Sequence, residues 1–274
     1  METFIFGDIE GNENIYNNTI KCINENFNDS KFIFLGDIYN FEKSAESLKM
    51  IKNIISYFYS IEEVINKNSE PLDVIRLFRT VWKRKNLKCC KTKYKQYWKF
   101  KPFNNIPNDY SDFKGLFIYG NKEVEFIYDI VNSKKISKST NNNDVSFSIL
   151  SEYFDTQEKV EKIITRIYTH EDLNIMYNYL NHCCNYYITG NVLYTHCYFN
   201  NEKFDDINVV VSGHNKGYGK FIDKKYNGLT VYIIDLTSSG VNYNNYISCD
   251  NDFNFKLFNN PILPKGLESI VCCL

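Results

Sequence analysis

The sequence predicts a layered α/β fold, and two observations lead to that prediction. First, six short apolar runs recur along the chain, each of strand length and rich in aromatic or β-branched residues. Because these runs are apolar nearly throughout, they are typical of strands that are buried on both faces of a sheet. Second, candidate helices lie between the runs. Alternating strands and helices indicate a fold in which helices pack on sheets.

The predicted strands each end in glycine or in polar residues. In chain order they are TFIF before Gly7, KFIFLG at 31–36, GLFIYG at 115–120, NVLYTH at 191–196, NVVVSGH at 208–214 and LTVYIID at 229–235. The candidate helices span residues 12–26, 42–59, 122–132, 157–168 and 170–184. Thr169 is predicted to cap the last helix, with Glu171 and Asp172 in its first turn.

Two segments interrupt this alternation. Residues 60–114 contain a basic stretch at 83–101, KRKNLKCCKTKYKQYWKFK, with nine Lys or Arg residues and no acidic residue. The rest of the chain is acidic, with 23 basic against 33 acidic residues, although the net charge of the whole is only -1. Residues 133–148 are rich in Asn and Ser and are predicted to form a mobile loop. We therefore expect a single domain over residues 1–274 with a basic insertion at about 60–114.

The composition indicates a globular protein inside the cell. With 274 residues and 43% hydrophobic content, the chain can bury a substantial core. No stretch approaches the roughly 18 consecutive apolar residues that a membrane helix needs, and the N-terminus lacks the pattern of a secretion signal. The nine cysteines are an odd number without a C-x-x-C motif, which predicts reduced thiols rather than disulfides or a zinc knuckle. A cytoplasmic location without a membrane partner is expected.

Five of the six predicted strands deliver a residue able to bind a metal at, or just past, the C-terminal end. Ligand sites in open α/β sheets collect at that edge, so five segments that are distant in sequence can meet there. The chain has only four histidines, and two of them occur at these ends. The residues at these five strand ends are Gly7-Asp8-Ile9-Glu10-Gly11, Gly36-Asp37, Gly120-Asn121-Lys122-Glu123, His196 and Gly213-His214.

These residue types suit a pair of divalent cations. Two cations about 3.5–4 Å apart can clamp the attacking and leaving oxygens of a phosphoryl displacement and turn a bridging water into hydroxide near neutral pH. Such a pair needs a bridging carboxylate, further oxygen ligands and imidazoles. The glycines allow tight turns in which the backbone and the ligands approach the metals closely.

The order of the motifs resembles that of the calcineurin-like binuclear metallophosphatases, specifically the phosphoprotein phosphatase and diadenosine-tetraphosphatase branch. In that branch G-D-x-H-G, G-D-x-x-D, G-N-H-E, H and G-H follow one another, and the resemblance covers most of the chain. It implies the metallo-dependent phosphatase fold, a two-sheet β-sandwich flanked by helices. It also implies that one metal is held by Asp8, Glu10 and Asp37, and the other by Asp37, Asn121, His196 and His214.

Two departures from the family pattern change the expected chemistry. Glu10 stands where the family has a histidine, which favours Mn²⁺ or Mg²⁺ over Zn²⁺ or iron. Lys122 and Asn40 replace the two members of the general-acid dyad. Losing a general acid costs about 10² to 10⁴ in rate when the leaving group is poor. Phosphoanhydrides or activated esters are therefore favoured over phosphoserine, and Lys122 is the candidate that would stabilise the leaving group, as a cation or as a proton donor.

A third departure is the missing phosphate-binding arginine, in whose place Phe41-Glu42 stand. Lys216 and Lys220 are candidate substrate-binding charges, the alternative being that they are solvated loop lysines. The basic stretch at 83–101 also carries Tyr and Trp residues, a combination that suits a nucleic acid or a nucleotide. The alternative for that stretch is an amphipathic helix with buried aromatic residues and solvated lysines.

These observations predict a metal-dependent phosphohydrolase that cleaves a phosphoester or a phosphoanhydride. Its expected cofactors are two divalent metal ions, Mn²⁺ first, with Mg²⁺, Fe or Zn²⁺ as alternatives. Its expected substrate is a nucleotide or a phosphoprotein. The rival hypothesis is a catalytically impaired pseudophosphatase that acts as a binding or scaffold protein. A third hypothesis is an RNA-binding protein that works through residues 83–101.

Overall fold

A computed structural model describes residues 1–84, 89–91, 96–98, 113–132, 168–197, 206–223, 228–237, 244–262 and 270–272. The chain divides into two compact units. The first unit comprises Met1–Met50, Pro102–Asn121 and His182–Leu274, and the second comprises Ile51–Lys101 and Lys122–Asn181. The single domain expected over residues 1–274 stays a prediction, because a division by contacts does not decide which parts fold independently.

The first unit contains a six-stranded sheet with a parallel centre. In chain order its strands are β1 (Glu2–Phe6), β2 (Ser30–Phe34), β5 (Gly115–Ile118), β6 (Cys183–Cys184), β12 (Tyr246–Cys249) and β13 (Phe255–Leu257). Across the sheet the order is β13-β12-β1-β2-β5-β6. Strands β1, β2 and β5 are parallel neighbours, so their carboxyl ends lie at one edge of the sheet.

A second six-stranded sheet also belongs to the first unit. Its strands are β7 (Tyr186–Thr189), β8 (Val192–Thr195), β9 (Val209–Ser212), β10 (Gly217–Asp223), β11 (Leu229–Asp235) and β14 (Ile270–Cys272). The order across the sheet is β14-β10-β11-β9-β8-β7. Here β8, β9 and β11 are parallel neighbours, which again places three carboxyl ends at one edge.

Apolar side chains of both sheets form one core between them. Ile33 and Leu116 of the first sheet belong to the same buried cluster as Val211 and Ile234 of the second. The other face of the first sheet is aromatic: the rings of Phe34 and Phe117 stack at 4.8 Å. Both faces of the parallel strands are therefore buried, which is the reason for their continuous apolar sequence. With two sheets facing each other and helices beside them, the predicted fold class is confirmed.

Five α-helices occur in the described residues. They are α1 (Glu13–Asn26), α2 (Ser44–Ser56), α3 (Pro71–Arg84), α4 (Asn121–Asn132) and α5 (His170–His182), and a 3-10 helix, Phe41–Lys43, precedes α2. Helix α1 is capped by Asn12, whose Oδ1 accepts hydrogen bonds from the backbone N–H groups of Asn14 and Ile15 at 3.1 and 3.2 Å. The predicted helices at 12–26 and 122–132 are confirmed to within one residue. None of these helices is long and apolar enough to cross a membrane.

The start of helix α5 agrees with the prediction from sequence, but its C-terminal end does not. Its predicted cap is confirmed, because Thr169 Oγ1 accepts a hydrogen bond from the backbone N–H of Asp172 at 3.1 Å. The helix nevertheless ends at His182 rather than at residue 184, because Cys183 and Cys184 pair with β5 as strand β6. Helix α3 was not predicted, although its buried Val74, Ile75, Phe78 and Val81 follow helical spacing.

The second unit is held together partly by two buried asparagines of α5. Asn174 Oδ1 accepts hydrogen bonds from the backbone N–H groups of Val64 and Ile65 at 2.9 and 3.0 Å, while its Nδ2 donates to the Glu62 carbonyl at 2.7 Å. Asn178 binds both backbone groups of Glu62, at 3.1 and 2.8 Å. These bonds satisfy the polar groups of a segment without regular structure.

In the basic stretch the alternative of a single amphipathic helix is wrong. Strands β3 (Cys89–Lys91) and β4 (Gln96–Trp98) pair with each other in antiparallel fashion. Tyr and Trp favour strands, which agrees with this pairing. The predicted loop at 133–148 and the predicted helix at 157–168, apart from its last residue, lie outside the described residues.

Candidate metal centre

Side chains from four strand ends converge at one edge of the first unit. Two of them follow β1 and β2 of the first sheet, and two follow β8 and β9 of the second. One ligand atom from each lies within 4.8 Å of the corresponding atom of every other member of the group, which consists of Asp8, Asp37, His196 and His214. The first three are buried and His214 is the most accessible. The group is the arrangement expected where the carboxyl ends of parallel strands meet.

Glycines permit this convergence. A Cβ atom on Gly213 would overlap the Oδ1 atom of Asp8. A Cβ atom on Gly36, whose φ is +99°, would overlap the backbone of Gly120. The glycine that precedes a grouped side chain therefore lets two strand ends lie in direct contact. The predicted close approach of these turns to metals stays a prediction.

Three non-glycine residues of the site have left-handed backbone conformations. The φ angles are 47° at Glu10, 48° at Asp37 and 57° at His214. Hydrogen bonds hold the first two in place, because the Asp37 carbonyl accepts the backbone N–H groups of Ile9 and Glu10 at 3.0 and 2.8 Å. Such conformations cost about 1–3 kcal/mol each and concentrate at functional sites. The segments that follow β1 and β2 are thus joined by two hydrogen bonds to one carbonyl oxygen.

The imidazole of His196 is fixed in one orientation. Its Nδ1 donates to the carbonyl of Leu35 at 2.8 Å, so Nδ1 carries a proton. Its Nε2 lies 3.0 Å from Asn121 Oδ1 and 3.5 Å from Asp37 Oδ2. Because a backbone carbonyl only accepts, the neutral ring presents the lone pair of Nε2 to these oxygens.

Two lone pairs that face each other need something positive between them. In the neutral ring both Nε2 of His196 and Oδ1 of Asn121 are acceptors, so the contact suits a second ring proton, a rotated Asn121 amide that donates through Nδ2, or a shared cation. Two atoms that bind one cation at about 2.1 Å and at right angles are about 3 Å apart, which matches the observed contact. Carboxylates, an amide oxygen and imidazoles are also the donors that Mn²⁺ and related divalent cations accept. The residues present therefore fit a divalent cation.

The negative charges around Asp8 also favour a bound cation. Burial above all, then the negative charges of Asp235, Asp37 and Glu10, raise the pKa of Asp8 well above its usual range. A hydrogen bond from the backbone N–H of His214 to Asp8 Oδ1, at 3.1 Å, lowers that pKa and offsets part of the rise. A site in which a buried carboxylate is surrounded by other carboxylates favours a bound cation or proton.

Asp235 was missed by the sequence analysis, which assigned no useful residue to the sixth strand. It is the final residue of β11 and is buried. Its Oδ2 accepts the backbone N–H of Lys216 at 3.1 Å, and its Oδ1 accepts the hydroxyl of Thr237 at 2.7 Å. The signal was present in the run LTVYIID, whose last letter places an acid at the same edge as the other strand ends.

Three further residues were predicted from sequence to bind metal or to take part in catalysis: Glu10, Asn40 and Lys122. Glu10 is not a member of the group of four, although it contributes to the raised pKa of Asp8. Asn40 Oδ1 accepts the backbone N–H of Glu42 at 2.9 Å and so caps the 3-10 helix. Lys122 is the second residue of α4 and the first residue of a segment of the second unit. Their metal-binding or catalytic roles stay predictions.

The two candidate substrate-binding lysines differ in distance from this edge. Lys216 follows His214 by two residues, and its Nζ donates to Thr237 Oγ1 at 3.4 Å. Lys220 is exposed on β10, opposite Tyr232, three residues beyond the start of the strand. At about 3.4 Å per residue, it lies about 10 Å from the start of the strand at this edge. Lys216, but not Lys220, therefore lies at the edge of the sheet where the four grouped side chains meet. The substrate-binding role of both lysines stays a prediction.

Comparisons with known proteins give few matches. No family model matches the chain, and no curated protein matches it. Among solved structures, a metallophosphoesterase from Sphaerobacter thermophilus is similar over 98% of this chain and 91% of its own, with a TM-score of 0.39 and 12% sequence identity. A likeness at this level assigns neither a family nor an activity, so the function is inferred from the site itself.

Proposed function

We propose that this chain is a metal-dependent phosphohydrolase that cleaves a phosphoester or a phosphoanhydride. The observation that supports the proposal is the convergence of Asp8, Asp37, His196 and His214 at one sheet edge, within 4.8 Å of one another. The order of the motifs, similar to that of the phosphoprotein phosphatase and diadenosine-tetraphosphatase branch, supports the same reaction class.

Two groups of residues would hold the cations. Asp37, Asn121, His196 and His214 would hold one, and Asp8, Glu10 and Asp37 would hold the other. When bound, divalent cations would supply positive charge to the phosphoryl oxygens and would acidify a coordinated water. The preponderance of oxygen donors favours Mn²⁺ or Mg²⁺.

The residues of the chain supply orientation and charge. His196 is held by the Leu35 carbonyl, so its Nε2 stays directed at the ligand group. The burial of Asp8 and Asp37 keeps water from solvating the carboxylates, which strengthens their interaction with a cation. Lys216, two residues after His214, is the candidate cation for a phosphate oxygen, and Lys122 is the candidate for the leaving group.

The absence of the usual general acid limits which leaving groups the proposed enzyme can expel, and so indicates its class of substrate. By the resemblance, Lys122 stands at the position of the general acid and Asn40 at that of the aspartate that orients it. The side-chain oxygen of Asn40 is engaged in capping the 3-10 helix. A leaving group that needs no proton, such as a nucleotide phosphate or an aryl oxide, loses little rate from this change. We therefore favour nucleotide-type anhydrides over phosphoserine proteins.

The same observation favours a second candidate, a pseudophosphatase that binds a phosphorylated partner without turning it over. The ligand group remains in that case, and only the chemical step is lost. The two candidates differ in turnover and not in metal binding.

Hydrolysis of p-nitrophenyl phosphate and of a dinucleoside polyphosphate, with added Mn²⁺, tests the proposal. The wild type is compared with Asp37→Asn, which removes the central carboxylate, and with Asp29→Asn as a matched control at an exposed turn. We expect turnover that Asp37→Asn abolishes and Asp29→Asn retains. A wild type that binds metal but is as inert as Asp37→Asn on both substrates would establish the pseudophosphatase instead.

A further inference from the structure

Asn245 is a buried residue that precedes β12 and makes three hydrogen bonds at the metal centre's edge. Its side-chain Nδ2 donates to the carbonyl of Asp8 at 2.6 Å, and its backbone carbonyl accepts the N–H of Gly7 at 3.0 Å. Its side-chain Oδ1 accepts the backbone N–H of Leu236 at 3.0 Å. With 2% of its surface exposed, it has no role as a solvated loop residue.

The first two bonds hold the peptide groups on both sides of the Gly7-Asp8 pair. Because the peptide groups before Gly7 and after Asp8 are both held, the backbone at Asp8 has little freedom to move relative to the sheet. Asn245 therefore helps to fix the direction of the Asp8 Cα–Cβ bond, while the carboxylate itself is held by the backbone N–H of His214.

The third bond connects the two sheets. Asn245 continues into β12 of the first sheet, whereas Leu236 follows β11 of the second. The preceding residue, Asp235, accepts the N–H of Lys216, and Asp8 accepts the N–H of His214. These contacts close a ring of strand ends that carries Asp8 on one side and His214 on the other.

We propose that Asn245 is a positioning residue of the metal centre, which holds Asp8 and thereby His214 in the geometry that binds a divalent cation. The inference rests on the proposed function. Asn245 lies far from the predicted metal-binding motifs in sequence, so the sequence gives no sign of this role. The proposal predicts that cation affinity depends on the side-chain amide of Asn245, although that amide does not bind the cation.

Three variants test this role. Asn245→Asp has almost the same shape and keeps an acceptor for Leu236, but it replaces the donor to Asp8 with an oxygen, which repels the Asp8 carbonyl. Asn245→Ala removes both side-chain bonds. Asn244→Ala is the matched control, because the hydrogen bonds that join Asn244 to Asn259 use the backbone N–H and carbonyl of Asn244.

Two measurements are made on the full chain: the affinity for Mn²⁺ by calorimetric titration, and the visible absorption spectrum of bound Co²⁺. Groups that orient metal ligands typically contribute 10–100-fold to affinity, so we expect Asn245→Asp to bind Mn²⁺ about 10–100-fold more weakly. The Co²⁺ spectrum should also change, which a loss of stability alone would not cause. Asn244→Ala should match the wild type in both measurements.

The outcomes separate the two proposals. Equal Mn²⁺ affinity and an identical Co²⁺ spectrum in wild type and Asn245→Asp would overturn the positioning role and leave the proposed function intact. A wild type that binds neither Mn²⁺ nor Co²⁺ would overturn the proposed function and this inference together. Failure of both Asn245 variants to unfold cooperatively on heating would assign the residue to general stability, and would likewise overturn the positioning role.

Discussion

The carboxylate of Asp8 accepts a hydrogen bond from the backbone N–H of His214 at 3.1 Å. This hydrogen bond joins the segment after β1 in the first sheet to the segment after β9 in the second. Both Asp8 and His214 are predicted to bind a cation through their side chains. The hydrogen bond also requires Gly213, because any Cβ at that position would overlap Asp8 Oδ1. One contact thus couples the packing of the two sheets to the geometry of the candidate metal centre.

Asp8→Asn should change how the stability of the metal-free protein depends on pH. The pKa of Asp8 is raised in the folded protein above its ordinary value of 3.8, so the folded state retains this proton more strongly than the unfolded chain does. The resulting stabilisation is fully present below pH 3.8 and is lost as pH rises through the raised pKa. In that window the wild type should lose up to about 1.4 kcal/mol per pH unit relative to Asp8→Asn.

Chemical denaturation with a chelator present, at several pH values, measures this difference. Added Mn²⁺ should restore stability to the wild type at neutral pH and should help Asp8→Asn much less, because a ligand is missing. Parallel stability curves for the two proteins across the whole range would contradict the raised pKa. Asp29→Asn, at an exposed turn, serves as the control for loss of a carboxylate.

Gly36→Ala should be strongly destabilising, and Gly228→Ala only mildly. Both glycines have positive φ angles, +99° and +80°, but a Cβ on Gly36 would overlap the backbone of Gly120, whereas one on Gly228 has nothing within 4 Å. Backbone strain alone costs about 1–2 kcal/mol, and a steric overlap with a buried backbone adds about 1–3 kcal/mol more. Urea unfolding of both variants measures the difference. Equal losses would mean that the strand ends of β2 and β5 are not in close contact.

The rate of hydrolysis should depend steeply on the leaving group. In the proposed phosphohydrolase Asn40 and Lys122 would stand in place of a general-acid dyad. An aryl phosphate with an acidic phenol should then react far faster than phenyl phosphate, whose phenoxide leaving group needs protonation. We expect kcat/KM ratios of about 10² to 10⁴ between p-nitrophenyl phosphate and phenyl phosphate. Lys122→His should reduce that ratio by restoring a group that can donate a proton. A flat dependence in the wild type would indicate that another residue supplies the proton.

The sequence predicted six of the twelve strands that the two sheets contain in the described residues, including the parallel strands β1, β2, β5, β8, β9 and β11. Runs such as LTVYIID at 229–235 are apolar nearly throughout because both faces of the strand are buried, and β11 has those bounds in the structure. The four side chains that the structure groups, those of Asp8, Asp37, His196 and His214, were also among the predicted strand-end residues. The predicted runs do not include helix α3 or six strands, namely β6, β7, β10, β12, β13 and β14. Strand β12 was missed because YISC is too short to distinguish from a loop by pattern alone.

Asp235 and Asn245 mark the limit of the sequence analysis at the site. Asp235 was overlooked although its strand was recognised, because it precedes no glycine and matches no motif. Asn245 lies in the run NYNNY, where nothing distinguishes it from its neighbours. Its three hydrogen bonds depend on where Gly7, Asp8 and Leu236 lie in space, and that placement is absent from the local sequence.

The sequence by itself determined which residues end the parallel strands, because burial on both faces imposes an apolar run and the chemistry must follow at its end. Only the tertiary structure decided which of those ends meet. The distances among Asp8, Asp37, His196 and His214 depend on two sheets packing through one core and on glycines that let backbones touch. The contact between Asp8 and His214 joins residues 206 positions apart, that between Asp8 and Asn245 joins residues 237 positions apart, and no local pattern encodes either.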